Sequence, residues 1–250
     1  MIFRQLFEPS SSTYTYLVAC EEQGVTALID PVLETVERDL DVISSLGLKL
    51  NFTIDTHIHA DHLTSATKLK AITESKIVYP MQAELPCADM QVEDGKVFNI
   101  GSLELHPLFT PGHTDHHYAF LIKQGPQQMV FTGDALLIDA CGRTDFQSGD
   151  AATLYDSIHQ KLFSLSDDTL VYPAHDYKGF HVSSIAQEKA RNPRLGNDMP
   201  KQEFVDIMDG LNLPYPMKID YAVPGNEDCG ICPPNVPSAL KSPCELNDQG

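Results

Sequence analysis

The segment Thr56-His57-Ile58-His59-Ala60-Asp61-His62 carries four side chains able to hold a metal ion, His57, His59, Asp61 and His62, within six residues. It follows the apolar run LNFTID (50–55), which reads as a strand. Alternate residues at a strand end point the same way, so His57 and His59 can face one ion. Asp61 and His62 are expected in the first turn of a following helix, within reach of the same cleft. Three more candidates recur at the ends of other apolar runs: His113 in TPGHTD, Asp134 in FTGDAL and His175 in YPAHDY. Reactive groups on short loops held by strands are what a scaffolded site requires. Imidazole suits iron, zinc and copper, and a carboxylate widens the choice to iron and manganese. The competing reading, a polar turn with capping histidines, does not account for the same residue types at three further strand ends. Residue types and spacing leave open whether the seven groups hold one ion or two. His106 in an extended run, His159 on a helix and His181 in a turn read as structural. His116 and His117 adjoin His113 and take no role at this stage.

The elements that must carry these residues alternate short apolar runs with amphipathic stretches. VTALID (25–30), LNFTID (50–55), KIVYP (76–80), KVFNI (96–100), LELHPLF (103–109), HYAFLIK (117–123), QMVFTGD (128–134) and TLVYPAH (169–175) read as strands. Helical spacing marks 32–47, 61–75, 152–165 and 183–191, the first stopped by Gly47. Gly101-Ser102 and Gln124-Gly125-Pro126 signal hairpins. Hairpins and crossovers in one chain predict the α/β class, as two mixed β-sheets packed face to face and flanked by helices, an αββα four-layer sandwich. Residues 1–232 read as one catalytic domain and 233–250 as an irregular tail. Pro, Gly and Asn already dominate from Gly225 onward.

Bulk properties narrow the partners. The chain has 250 residues, 42% of them hydrophobic, enough for one large domain with a real core. Acidic residues number 35 against 17 basic, a formal charge of −18. Such a chain repels nucleic acid and anionic membranes, and no Lys/Arg run offsets this. The N-terminus lacks a basic segment followed by an apolar one, and no apolar stretch approaches the ~20 residues of a membrane span. A soluble, cytoplasmic protein is expected. The six cysteines, Cys20, Cys87, Cys141, Cys229, Cys232 and Cys244, are too sparse for a disulfide scaffold. The single C-x-x-C at Cys229 and Cys232 lacks the second pair a structural zinc needs. Free thiols are the expectation.

THIHADH with the later His113, Asp134 and His175 resembles the H-x-H-x-D-H pattern of the metallo-β-lactamase superfamily. TPGHTD, FTGDALLI, CGRTDFQSGD, YPAHDYKG, ARNPRL and EFVDIMDGLNLPYPMKIDYAVPGN together resemble its persulfide dioxygenase (sulfur dioxygenase) family, over residues 1–232. CGRTDFQ and LNLP…IDYAVP are the specific parts, because no metal site demands them. The chain departs from the family at His116 and His117, where members carry smaller residues. The resemblance implies one non-haem Fe(II) per chain, held by His57, His113 and Asp134 in a facial triad with open positions. His59, Asp61, His62 and His175 would then orient ligands and handle protons. It implies oxidation of glutathione persulfide with O₂ and water to sulfite and glutathione, in a homodimer. Arg143 and Tyr177 are the candidates to hold the glutathione part, Arg143 through its planar fork. Asp176 would support the loop or a histidine. For Arg143 the competing role is a structural salt bridge to Asp145 or Asp150. The rival function is a glyoxalase II-type hydroxyacylglutathione hydrolase, which shares the seven groups but bridges two metals. A metal-carrying scaffold without catalysis is the third reading.

Overall fold

The apolar runs build two six-stranded sheets. The computed structural model describes residues 1–125 and 127–234. Pro126 of the expected turn, Cys244 and the tail beyond Pro234 lie outside them. The first sheet has the order β1 (Ile2–Glu8), β2 (Thr13–Cys20), β3 (Val25–Ile29), β4 (Lys49–Ile54), β5 (Lys76–Pro80) and β6 (Met90–Val92). It is mixed: β1, β2 and β3 pair antiparallel, while β3, β4 and β5 run parallel. The second sheet joins β7 (Phe98–Ile100), β8 (Leu103–Phe109), β9 (Tyr118–Gln124) and β10 (Gln127–Gly133). After the small hairpin of β11 (Leu136–Leu137) and β12 (Ala140–Cys141), β13 (Leu170–Pro173) and β14 (Ser183–Ser184) complete it. Here β8, β9 and β10 are antiparallel, and β10 pairs parallel with β13. Two mixed sheets with accompanying helices are the expected fold class.

The chain divides into two compact units. One comprises Met1–Gln91, Asn99–Leu103 and the chain from Pro214; the other Val92–Phe98 and Glu104–Leu213. In the first, helices α1 (Val36–Ser45), α2 (Ala66–Thr73) and α6 (Ile219–Glu227) accompany the sheet. Leu17, Leu28, Leu50, Leu63, Leu69 and Tyr221 form its core. Every residue of β2 is buried, which is why TYTYLVAC tolerates apolar side chains on both faces. In the second unit α3 (Ala151–Ser157), α4 (Ile185–Arg191) and α5 (Lys201–Asp209) accompany the sheet. Its core gathers Leu121, Val130, Leu154, Leu162, Val171 and Phe204. Two of its helices start on side-chain caps: Asp150 accepts from the Thr153 N–H and Ser184 from the Gln187 N–H.

Several expectations are corrected. The helix expected over 61–75 begins only at Ala66. Asp61 and His62 therefore sit on the loop before it, where no i→i−4 bond competes for their backbone. The helix expected at 152–165 ends as a π-type turn over Ile158–Leu162. The irregular stretch expected from Gly225 onward is helical as far as Glu227, with Pro224 inside α6. The thiols expected to be free are partly oxidised: Cys87 and Cys229 form a disulfide across a sequence separation of 142, and Cys20 and Cys141 are buried free thiols. No helix among the described residues is long and apolar enough to cross a membrane.

Candidate metal centre

The candidate ligands all follow strand C-terminal ends, where an α/β sheet offers its binding loops. In the second unit His113 lies four residues after β8, Asp134 directly follows β10, and His175 lies two residues after β13. Asp134 is the meeting point. Its Oδ2 lies 3.4 Å from His113 Nε2, and its Oδ1 lies 3.5 Å from His175 Nε2. Its Oδ1 is buried without a hydrogen-bond partner. Two ligand atoms bound at about 2.1 Å stand roughly 3.0 Å apart at octahedral angles and 3.4 Å at tetrahedral ones. These spacings therefore suit atoms facing a common cation better than atoms hydrogen-bonded to one another. His113 Nδ1 donates to the Arg143 carbonyl oxygen at 2.7 Å, which leaves Nε2 as the nitrogen able to ligate. Gly142 permits this crowding: a Cβ there would come within 2.2 Å of the Asp134 carbonyl oxygen and 2.9 Å of His113 Nδ1.

In the first unit the loop after β4 is fixed by buried carboxylates from neighbouring strand ends. Asp30 just beyond β3 adopts φ +50° and accepts from the Thr56 N–H at 2.7 Å and from its hydroxyl at 3.1 Å. With its one proton spent on Asp30, the Thr56 hydroxyl accepts from His57 Nδ1 at 2.9 Å. His57, almost fully buried, is thereby held in the tautomer that could ligate through Nε2. His59 Nε2 faces Asp30 at 3.1 Å and Asp55 at 3.6 Å. Burial lowers the His59 pKa, but the Asp30 and Asp55 carboxylates outweigh it and lift it to about 9. His59 Nδ1 is buried without a hydrogen-bond partner. His62 Nδ1 lies 3.0 Å from Asp61 Oδ2, which also accepts from the Thr13 hydroxyl at 3.2 Å. His59, Asp61 and His62 each offer a ligand atom within 4.8 Å of the others. The donor set of imidazoles and carboxylates suits iron, zinc or manganese.

The substrate candidates have mixed surroundings. The Arg143 fork pairs with Asp145 through two bonds of 2.6 and 2.7 Å and lies over the Phe146 ring at 4.6 Å. Asp150 serves instead as the α3 cap. Tyr177 is 72% exposed and its ring stacks on His175 with centroids 5.8 Å apart. Asp176 accepts from the backbone N–H groups of Lys178, Gly179 and His181, so it holds the loop after His175. His159 stacks on Tyr155 at 3.9 Å, a packing role.

Sequence reasoning passed over Asp30, Asp55, Thr56 and Asn226. Asn226 on α6 spans the metal loop: its Nδ2 donates to the His59 and His62 carbonyls at 2.9 and 2.8 Å, and its Oδ1 accepts from the Thr64 N–H at 2.9 Å. Asp30 carried a readable signal, an acidic residue closing a strand before Pro31. Asn226 carried none, since its partners lie more than 160 residues away.

Residues 10–175 match the metallo-β-lactamase superfamily. The human mitochondrial persulfide dioxygenase ETHE1 is 46% identical, over 94% of this chain and 91% of the relative. The crystal structure of ETHE1 from Myxococcus xanthus is 50% identical, with a TM-score of 0.88 over 92% of this chain and 100% of that one. A hydroxyacylglutathione hydrolase from Dictyostelium discoideum stands further off, at 32% identity over 75% of this chain and 72% of its own. The likeness to persulfide dioxygenases thus runs nearly end to end. This chain belongs to the persulfide dioxygenase family of the metallo-β-lactamase superfamily.

Proposed function

We propose that the chain oxidises glutathione persulfide with O₂ and water to sulfite and glutathione at one Fe(II), held by His57, His113 and Asp134. The observation that carries this reading is the 46% identity to a persulfide dioxygenase across 94% of the chain. The residues fit the ion. Nδ1 of His57 and of His113 is committed to an oxygen acceptor, so Nε2 of each is the nitrogen presented for ligation, and Asp134 brings a buried oxygen without a hydrogen-bond partner. Iron bound by such a set supplies one-electron exchange with O₂, which zinc does not. The remaining work falls to the chain itself. Thr56 and the Arg143 carbonyl hold the two imidazoles in one tautomer and orientation. His59, Asp61, His62 and His175 take the roles of orienting ligands and handling protons.

Arg143 and Tyr177 take the glutathione part in this reading. The fork of Arg143 matches a carboxylate and already holds one, that of Asp145, so substrate exchanges with or joins that pair. The working form is a homodimer that takes no nucleic acid and binds no membrane, and residues 1–232 act as one catalytic domain. We assign it to the cytoplasm. Cell fractionation tests that assignment: the chain should appear with the cytosolic fraction, and its recovery in an organelle fraction would reject it.

The hydrolase reading has one observation in its favour, the second donor set of His59, Asp61 and His62. The deciding experiment is oxygen uptake with glutathione persulfide, run beside hydrolysis of a glutathione thioester on the same iron-loaded protein. Persulfide-dependent uptake with sulfite formation is expected. Thioester hydrolysis without oxygen uptake would overturn the proposal.

A further inference from the structure

We infer that His117 is a positioning residue for Asp134, acting through the peptide of that residue rather than through its carboxylate. The inference rests on the reading of Asp134 as a metal ligand. His117 is fully buried and immediately precedes β9. The Asp134 N–H donates to His117 Nε2 at 3.0 Å. A ring nitrogen that accepts carries no proton, so the neutral ring bears its proton on Nδ1. That proton goes to the Thr110 hydroxyl, 2.9 Å away. The Thr110 N–H in turn donates to the His117 carbonyl at 3.0 Å, which ties the ring to the end of β8.

The position of Asp134 explains why such a brace is needed. The register of β10 against β13 shifts between Phe131 and Gly133, and Gly133 turns to φ +51°. Asp134 therefore leaves the strand with its N–H beyond the regular ladder. His117 supplies the acceptor that the ladder no longer offers, and the Gly142 N–H holds the Asp134 carbonyl at 2.8 Å. With both ends of its backbone fixed, the Asp134 side chain projects in one direction. The His117 ring also stands edge-on to that of His113, at 86° with centroids 6.2 Å apart, so one imidazole borders both ligand residues of this unit. His116 Nδ1 pairs with exposed Asp115 at 2.8 Å.

Two amides separate the bonds of the ring. His117→Asn places an amide N–H near the site of Nδ1, keeping the bond to Thr110 and losing the one from Asp134. His117→Gln reaches the site of Nε2 with an oxygen that accepts from the Asp134 N–H. The measurements are the Fe(II) dissociation constant by chelator competition, the melting temperature of the iron-free protein, and kcat and KM for oxygen uptake. His117→Asn should weaken Fe(II) binding by about 10- to 100-fold, the usual range for a residue behind a ligand. The iron-free melting temperature should fall by only a few degrees, the cost of one unpaired buried N–H, and kcat should fall more than KM rises. His117→Gln should recover most of the affinity. Wild-type affinity in His117→Asn would overturn the inference. So would equal losses of affinity and iron-free stability in both variants, which is the signature of packing alone. Asp134→Ala runs as the control: if it keeps its iron, the ligand assignment fails instead.

Discussion

His113 and His175 approach Asp134 at nearly equal distances, 3.4 and 3.5 Å. His113 Nδ1 donates to the Arg143 carbonyl, which turns Nε2 to the ion, and the proposed triad of His57, His113 and Asp134 gives His175 a supporting role. His113→Ala should therefore abolish iron binding, and His175→Ala should leave much of it, both read by metal analysis of the purified variants. Equal loss in the two would make His175 a ligand. Arg143 contributes to the centre with its main chain and to the proposed substrate contact with its side chain, so the two roles separate. Arg143→Ala leaves the carbonyl that holds His113. It should keep its iron while the substrate concentration for half-maximal rate rises roughly 10- to 100-fold, the loss of one charge-assisted bond. If the pairing with Asp145 braces the fold instead, iron content and melting temperature fall together and the substrate dependence does not move. The strand-end candidates could be found in the sequence because each combines a rare residue type with the end of an apolar run. Thr56 and His117 could not, because their roles are set by which strand end lies beside which, and that is not local information.

At the scale of elements, α6 decides how firmly the metal loop is held. Asn226 engages three backbone groups of that loop in a fully buried setting. Asn226→Ala removes all three bonds and leaves buried peptide groups unpaired, which costs on the order of 2–4 kcal/mol. The expected result is a lower melting temperature together with weaker Fe(II) binding in chelator competition. A stable variant that binds iron normally would show that α6 merely covers the loop. Helix α1 carries a pH-dependent element of its own. Burial lifts the carboxyl of Asp39 to about 6, and the Arg38 guanidinium and the Thr35 hydroxyl pull it only part of the way back. Between about pH 4 and 6 the folded chain then binds more protons at this group than the unfolded chain. The contribution of Asp39 to stability accordingly falls as pH rises through that window and is level above it. Asp39→Asn should remove this share, so denaturant midpoints of wild type and variant should diverge between pH 4 and 6; parallel midpoints would rule it out. Long periodic runs made β3, β4, β5, β8, β9 and β10 legible from sequence. The segment 61–65 was misread as helical because its residues fit the period, although backbone bonds of Leu63 and Ser65 go to Leu33 and Pro31 instead. Helix α6 was missed because Pro and Gly in its sequence masked a helix that packing through Tyr221 and Ala222 maintains.

For the molecule as a whole, the formal charge of −18 sets the terms on which a cation is taken up. An acidic chain attracts divalent ions without selecting among them, so occupancy has to be decided by the donor set and not by the overall field. The stoichiometry separates the two functions that share this fold. A dioxygenase centre needs one iron and open positions beside it, whereas the hydrolase needs two ions and a hydroxide between them. Fe(II) titrated anaerobically into metal-free protein should therefore saturate at about one equivalent per chain. Binding to the folded state alone raises stability by about 2.7 kcal/mol when free ion is 100 times its dissociation constant. For a chain of this length that corresponds to a rise in melting temperature of roughly 5–10 °C. The rise should be absent in His113→Ala, while His59→Ala, which removes a donor of the second set, should retain it. A second equivalent of Zn(II) bound at saturation, absent from His59→Ala, would show that His59, Asp61 and His62 form a second ion site, and the mononuclear assignment would then give way to the hydrolase.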